Sequence, residues 1–142
     1  MFLAALTAPQ KEAFLALADR LIRADGILTP QEEAVLAAMR GEMALPADAA
    51  APALDVAEAA AAFPDHRART IVLLELAVLA AADHDVADAE EDLLHQVAAA
   101  FGLDEAAVMQ ARDWAIRQVA MVAEAAALMA EDPAALALAE AV

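Results

Sequence analysis

Six carboxylates occupy positions from which this chain could do chemistry. Asp25 and Glu32 are separated by Gly26-Ile27-Leu28-Thr29-Pro30-Gln31, and Asp83 and Glu90 bracket a second stretch of the same length. Both members of the second pair follow their counterparts by 58 positions, so an Asp-x6-Glu element occurs twice. Asp85 lies within the second element, and Glu75 lies ahead of it in the run Ile71-Val72-Leu73-Leu74-Glu75-Leu76. Carboxylates brought together repel one another, and a cation between them removes the repulsion. Oxygen-only donors select hard cations, Mg2+, Ca2+ or Mn2+. The candidate metal residues are therefore Asp25, Glu32, Glu75, Asp83, Asp85 and Glu90. Zn2+ has a separate candidate: His95 shares a helix face with Glu91 and with Asp92, although no second histidine is near it in sequence.

A structural role is open to the same residues. An acid in the first turn of a helix is favoured by the helix dipole and by capping. An Asp in a turn commonly accepts a bond from its own backbone. Glu75 has apolar neighbours on both sides, so it should be buried and must find a partner. Arg20, Arg23 or amides at a helix start are the candidates. An EF-hand reading of Asp83-x-Asp85 fails, because Leu94 stands at the twelfth position and Asp88 replaces the sixth-position glycine.

No catalytic set accompanies these acids. The chain has no serine and no cysteine, and its only aliphatic hydroxyls are on Thr7, Thr29 and Thr70. Three glycines leave no phosphate loop. A di-metal enzyme would need repeated Glu-x-x-His pairs on facing helices, which are missing. We therefore expect a protein that is not an enzyme.

The elements that must position the acids are helices. Alanine makes up about a third of the chain, aromatic residues 4%, and tyrosine is absent. This composition favours closely packed helices over a core of large side chains. Thr7-Ala8-Pro9-Gln10 reads as a capping box opening a helix over about 9–24, with Phe14, Leu17, Leu21 and Ile22 inward. Gly26 closes it, and Thr29-Pro30-Gln31-Glu32 opens a second helix over about 30–43. Leu45-Pro46 breaks the pattern, and Asp55-x-x-Glu58 caps a helix that starts near Leu54 and ends before Pro64. Asp65 caps a central helix over about 66–82, which is apolar on nearly every side and so should be buried. Further helices are expected over about 89–100 and 104–130. Val108, Ala115, Val119 and Val122 form the inner stripe of the longer one, with Trp114 beside it. A short helix after Asp132-Pro133 brings the count to six or seven. His66, Arg67 and Arg69 crowd a helix N-terminus, either as a docking patch or as an exposed, frayed turn.

We read one domain over 1–142, with a first repeat unit over about 9–45, a second over about 66–103 and C-terminal helices over 104–142. Each unit is helix, Asp-x6-Glu elbow, helix, and the two are expected to superpose as an internal duplication. Val86 matches Leu28, and Leu93-Leu94 match Val35-Leu36. On these residues the chain resembles the TerB-like (tellurite-resistance TerB) domains, related to the N-terminal domain of the DjlA membrane co-chaperones. The likeness rests on Phe14-Leu15-Ala16-Leu17-Ala18 leading into Ala24-Asp25-Gly26-Ile27-Leu28 with Glu32. It returns in Glu75-Leu76 leading into Ala82-Asp83 with Val86 and Glu90, and closes at Phe101-Gly102-Leu103. His84-Asp85 departs from the family, which usually has glycine there. The resemblance implies an all-α TerB-like bundle. It implies a non-enzymatic bacterial module of stress response and tellurite resistance that binds metal ions or protein partners, in the cytoplasm and near the membrane face. Two alternatives are a divalent-metal module without a stress partner and a DjlA-like interaction domain; the J-domain His-Pro-Asp is missing from the chain.

Charge narrows the partners. With 24 acids against eight Lys and Arg, the net charge is −16, which excludes nucleic acid as a general ligand. No uncharged apolar run reaches the roughly 20 residues of a membrane span, and Glu75 interrupts the most apolar segment. The N-terminus lacks the basic region of a signal peptide.

Overall fold

The structure is a computed structural model and describes residues 1–82 and 87–130. Those residues form six α-helices and one 3-10 turn, Leu3–Ala5, with no strand among them. The helices are α1 (Ala8–Arg23), α2 (Pro30–Glu42), α3 (Val56–Ala60), α4 (His66–Ala80), α5 (Asp88–Ala100) and α6 (Glu105–Met129). No described helix is long and apolar enough to cross a membrane.

Five of the six described α-helices begin where the sequence supplies a cap, α5 being the exception. Thr7 and Gln10, Thr29 and Glu32, and Asp55 and Glu58 each form a reciprocal capping box. The Asp65 and Asp104 side chains accept from the Ala68 and Ala107 amides. Each such cap contributes about 1 kcal/mol. α3 is shorter than expected, at five residues: it starts after its Asp55 cap but stops at Ala60, where the Ala62 and Phe63 amides turn back to the Ala59 and Ala60 carbonyls instead of continuing the helix to Phe63.

α4 is the hub. It packs against α1, α2, α5, α6 and the 3-10 turn. Ile71, Val72, Leu73, Leu76, Ala77, Leu79 and Ala80 are all buried, as a helix apolar on every side requires. Phe14, Leu17 and Leu21 of α1 are completely buried in the same core. Removing a side chain such as Phe14 or Leu17 from water is worth about 2–3 kcal/mol. Phe63 meets Phe101 edge to face at 5.8 Å, joining the end of the α3 segment to the end of α5.

The pairs α1–α2 and α4–α5 run in register. α2 and α5 each span 13 residues, and their bounds differ by the same 58 positions at both ends. Leu36, Met39 and Met43 on one side correspond to Leu94, Val97 and Phe101 on the other, and all six are buried. The helices also end alike. The Leu45 amide donates to the Arg40 carbonyl at 2.9 Å, and the Leu103 amide to the Ala98 carbonyl at 2.8 Å. A left-handed residue precedes each of these bonds, Ala44 at φ 57° and Gly102 at φ 72°.

One expectation for α6 needs correcting. Val108 and Ala115 are buried and Val119 is partly buried, but Val122 is 58% exposed. The inward stripe continues along the helix, while the core beneath it does not.

Candidate functional site

Glu32, Glu75 and Glu90 are the only charged side chains fully buried among the described residues, at 1, 2 and 1% exposure. All three belong to the carboxylate pattern of the sequence. Their surroundings differ.

Glu32 is the third residue of α2, so its carboxylate folds back over the start of the helix. Oε1 accepts from the Thr29 amide at 3.2 Å and the Thr29 hydroxyl at 3.0 Å, while the Glu32 amide donates to that hydroxyl at 3.1 Å. Oε2 is buried and has no hydrogen-bond partner. A buried carboxylate oxygen without a donor costs about 1–3 kcal/mol unless something else satisfies it. Capping thus accounts for one oxygen of Glu32 and leaves the other unexplained.

Glu90 is likewise the third residue of its helix, α5, and equally buried. Its cap position is Ala87, which has no polar side chain to complete a capping box. Asp88, Glu90 and Glu91 crowd the first turn, where the helix dipole favours negative charge.

Asp25 is partly exposed and makes the turn bond expected of an Asp at that place. Its Oδ1 accepts from the Ile27 amide at 2.9 Å, and Gly26 takes a positive φ of 75°. Asp83 and Asp85 lie outside the described residues. Among the described residues no three His, Asp or Glu side chains stand close enough together to hold a metal.

Glu75 is buried as its apolar neighbours require, and its partner is the start of the chain. Oε1 accepts from the Met1 ammonium at 2.9 Å and from the Phe2 amide at 2.8 Å. Glu42 accepts from the same ammonium at 2.7 Å. Burial works against the ammonium's charge, but the bonds to Glu42 and Glu75 and their negative charges outweigh it, so its pKa is raised above the ordinary 8.0. The amide alternative for Glu75 is therefore met, by an amide just ahead of the 3-10 turn. The arginine alternative is not met: Arg20 Nε donates to the Leu54 carbonyl and Arg23 Nε to Asp19. Both arginines leave the core because their long stems reach solvent from the outer face of α1.

Two of the remaining candidates, Glu91 and Arg69, have structural occupations. Glu91 binds Arg112 at 2.7 Å, which takes it away from a zinc clip with His95. Arg69 does not join an exposed basic patch with His66 and Arg67. It donates through Nε to the Phe63 carbonyl at 2.7 Å and through Nη1 to the Phe101 carbonyl at 3.3 Å, sealing the end of α5. No sequence signal foretold that use of Arg69, since both acceptors are backbone carbonyls brought near by packing.

Compared with protein-family models, with curated proteins and with solved structures, the chain has no significant match.

Proposed function

We propose that this protein is a non-enzymatic module of the TerB-like kind, whose elbow acids Asp25, Glu32, Asp83 and Glu90 take up divalent cations. The observation that carries this reading is Glu32 Oε2, a buried carboxylate oxygen with no hydrogen-bond partner at the start of α2. A helix cap needs one oxygen and has one; the second oxygen is in the state a cation would relieve. Glu90 supports the reading, being equally buried in the corresponding turn of α5.

The common register of α1–α2 and α4–α5 supports an internal duplication, in which each unit contributes one elbow. A cation held at an elbow would stabilise the fold by mass action. The TerB resemblance implies a role in stress response and tellurite resistance, with protein partners at the cytoplasmic membrane face. The net charge of −16 favours cationic ligands and basic partners over anionic ones.

Thermal melting tests the cation. Millimolar Mg2+, Ca2+, Mn2+ or Zn2+ is compared with NaCl of matched ionic strength, which controls for screening. We expect a divalent-specific rise of several degrees, equivalent to about 2.7 kcal/mol when the ion is at 100 times its Kd. The rise should vanish in Glu32→Gln, which keeps Oε1 for the Thr29 cap, and in Asp25→Asn/Asp83→Asn. Equal shifts in all salts, unchanged by the substitutions, would leave these acids as caps and overturn the proposal.

A further inference from the structure

The inward stripe of α6 is buried at Val108, Ala111 and Ala115, and repeats on alternate steps of three and four to Val122 and Met129. Those last two positions are 58% and 77% exposed. The cause is length: α6 has 25 residues and α4, its main neighbour, has 15. At 1.5 Å per residue, α6 is about 15 Å longer than the helix it packs on. Met121 and Leu128, 65% and 78% exposed, lie beside the stripe and are also seven residues apart. Two i, i+7 pairs thus form one apolar band, and Glu124 is the only charged residue over 118–129. The buried Ala127 lies on another side of the helix, roughly 140° or more away from the Val122–Met129 line.

Four exposed large apolar side chains at this spacing are the pattern a second helix packs against. Charge decides which helix. A second copy of this chain would bring another −16, and an anionic lipid surface would also repel the protein. A helix with basic borders is attracted by the same field, and its apolar face meets a band with almost no charge of its own.

We propose that the Met121–Met129 band of α6 is a docking site for an amphipathic partner helix whose apolar face is bordered by lysine or arginine. This site is separate from the elbows and does not depend on their binding a cation.

The test is calorimetric titration of the full chain with an amphipathic leucine–lysine peptide, in NaCl at about 10 mM, where the screening length is about 30 Å and the chain's field still acts. A leucine–glutamate peptide of the same pattern serves as the comparison. The leucine–lysine peptide should bind and the leucine–glutamate peptide should not. Val122→Gln/Met129→Gln, which removes apolar surface without changing charge, should weaken binding tenfold or more. Ile116→Gln, exposed on another side of α6, should leave it unchanged. Failure of the leucine–lysine peptide to bind overturns the proposal. So does equal binding to the Val122→Gln/Met129→Gln protein, which would mean attraction by charge alone. A fall of more than several degrees in the melting temperature of that variant would show the band covered within the chain. Self-association of the wild type, lost in the variant, would make the occupant a second copy. Either result overturns the proposal as well.

Discussion

Leu17 in α1 and Glu75 in α4 stand at the same place in the two helical pairs, 58 positions apart, and both are buried. One is part of the hydrocarbon core. The other brings a carboxylate into a helix otherwise apolar on nearly every side, and is accepted because the Met1 ammonium and the Phe2 amide meet it there. A shared place in the register thus does not decide what chemistry a buried position holds. That is decided by what the rest of the chain delivers to each site. Leu17 lies wholly in the apolar core, and Glu75 faces the start of the chain.

Exchanging the chemistry should have the largest effect. Leu17→Glu puts a carboxylate where no ammonium arrives, and we expect it to cost roughly 4 kcal/mol, as for other uncompensated buried charges. Leu17→Ala, a plain cavity, should cost about 3 kcal/mol. Chemical denaturation of both variants checks the order. A Leu17→Glu protein within about 1 kcal/mol of wild type would mean that the partner of Glu75 is not what makes its burial tolerable.

Glu75→Gln tests the other side. It keeps the shape and an acceptor for the Phe2 amide but removes the charge opposite the ammonium. Met1 is half-exposed, so solvent limits the effect, and we expect a loss of about 1 kcal/mol. The pH dependence is more telling. The ammonium's pKa is raised in the folded chain, so its contribution is complete below the ordinary value of 8.0 and is lost as pH rises through the folded value. Wild type should therefore lose stability above pH 8, and Glu75→Gln should lose less of it over the same range. Melting temperatures measured between neutral and alkaline pH give both curves; parallel curves would contradict the pairing.

The smallest expected effect lies at the helix ends, where Ala44 and Gly102 share a left-handed conformation and differ in residue. A Cβ at Gly102 meets nothing within 4 Å, so only backbone strain opposes it. Gly102→Ala should cost about 1 kcal/mol, and Ala44→Gly should gain about 0.5 kcal/mol by relieving the same strain. Denaturation midpoints of the two variants should move in opposite directions, and movement in the same direction would show that the two ends are not equivalent.

The candidate site divides along the same line. Local chemistry writes the Asp25 turn and the Thr29–Glu32 capping box into consecutive residues, and both form as that chemistry demands. The carboxylate pattern of the sequence also picks out Glu32, Glu75 and Glu90. It carries no sign that Glu32 keeps one oxygen for the cap and buries the other without a donor. That depends on which helices close over the start of α2.

The all-α class, the helix starts, most of the helix ends and the burial of Glu75 were written in the sequence. Caps, glycine turns and apolar periodicity act over four to seven neighbouring residues, so they are legible in a string. The rest came from tertiary packing: that Glu75 meets Met1 and Phe2 rather than an arginine, that Arg69 seals the end of α5, and that α6 outruns its core beyond Val119. Each of these joins residues far apart in the chain or depends on the relative lengths of packed helices. Periodicity marks the face of a helix that is able to be buried. How much of that face is covered is set by the length of the neighbour lying on it.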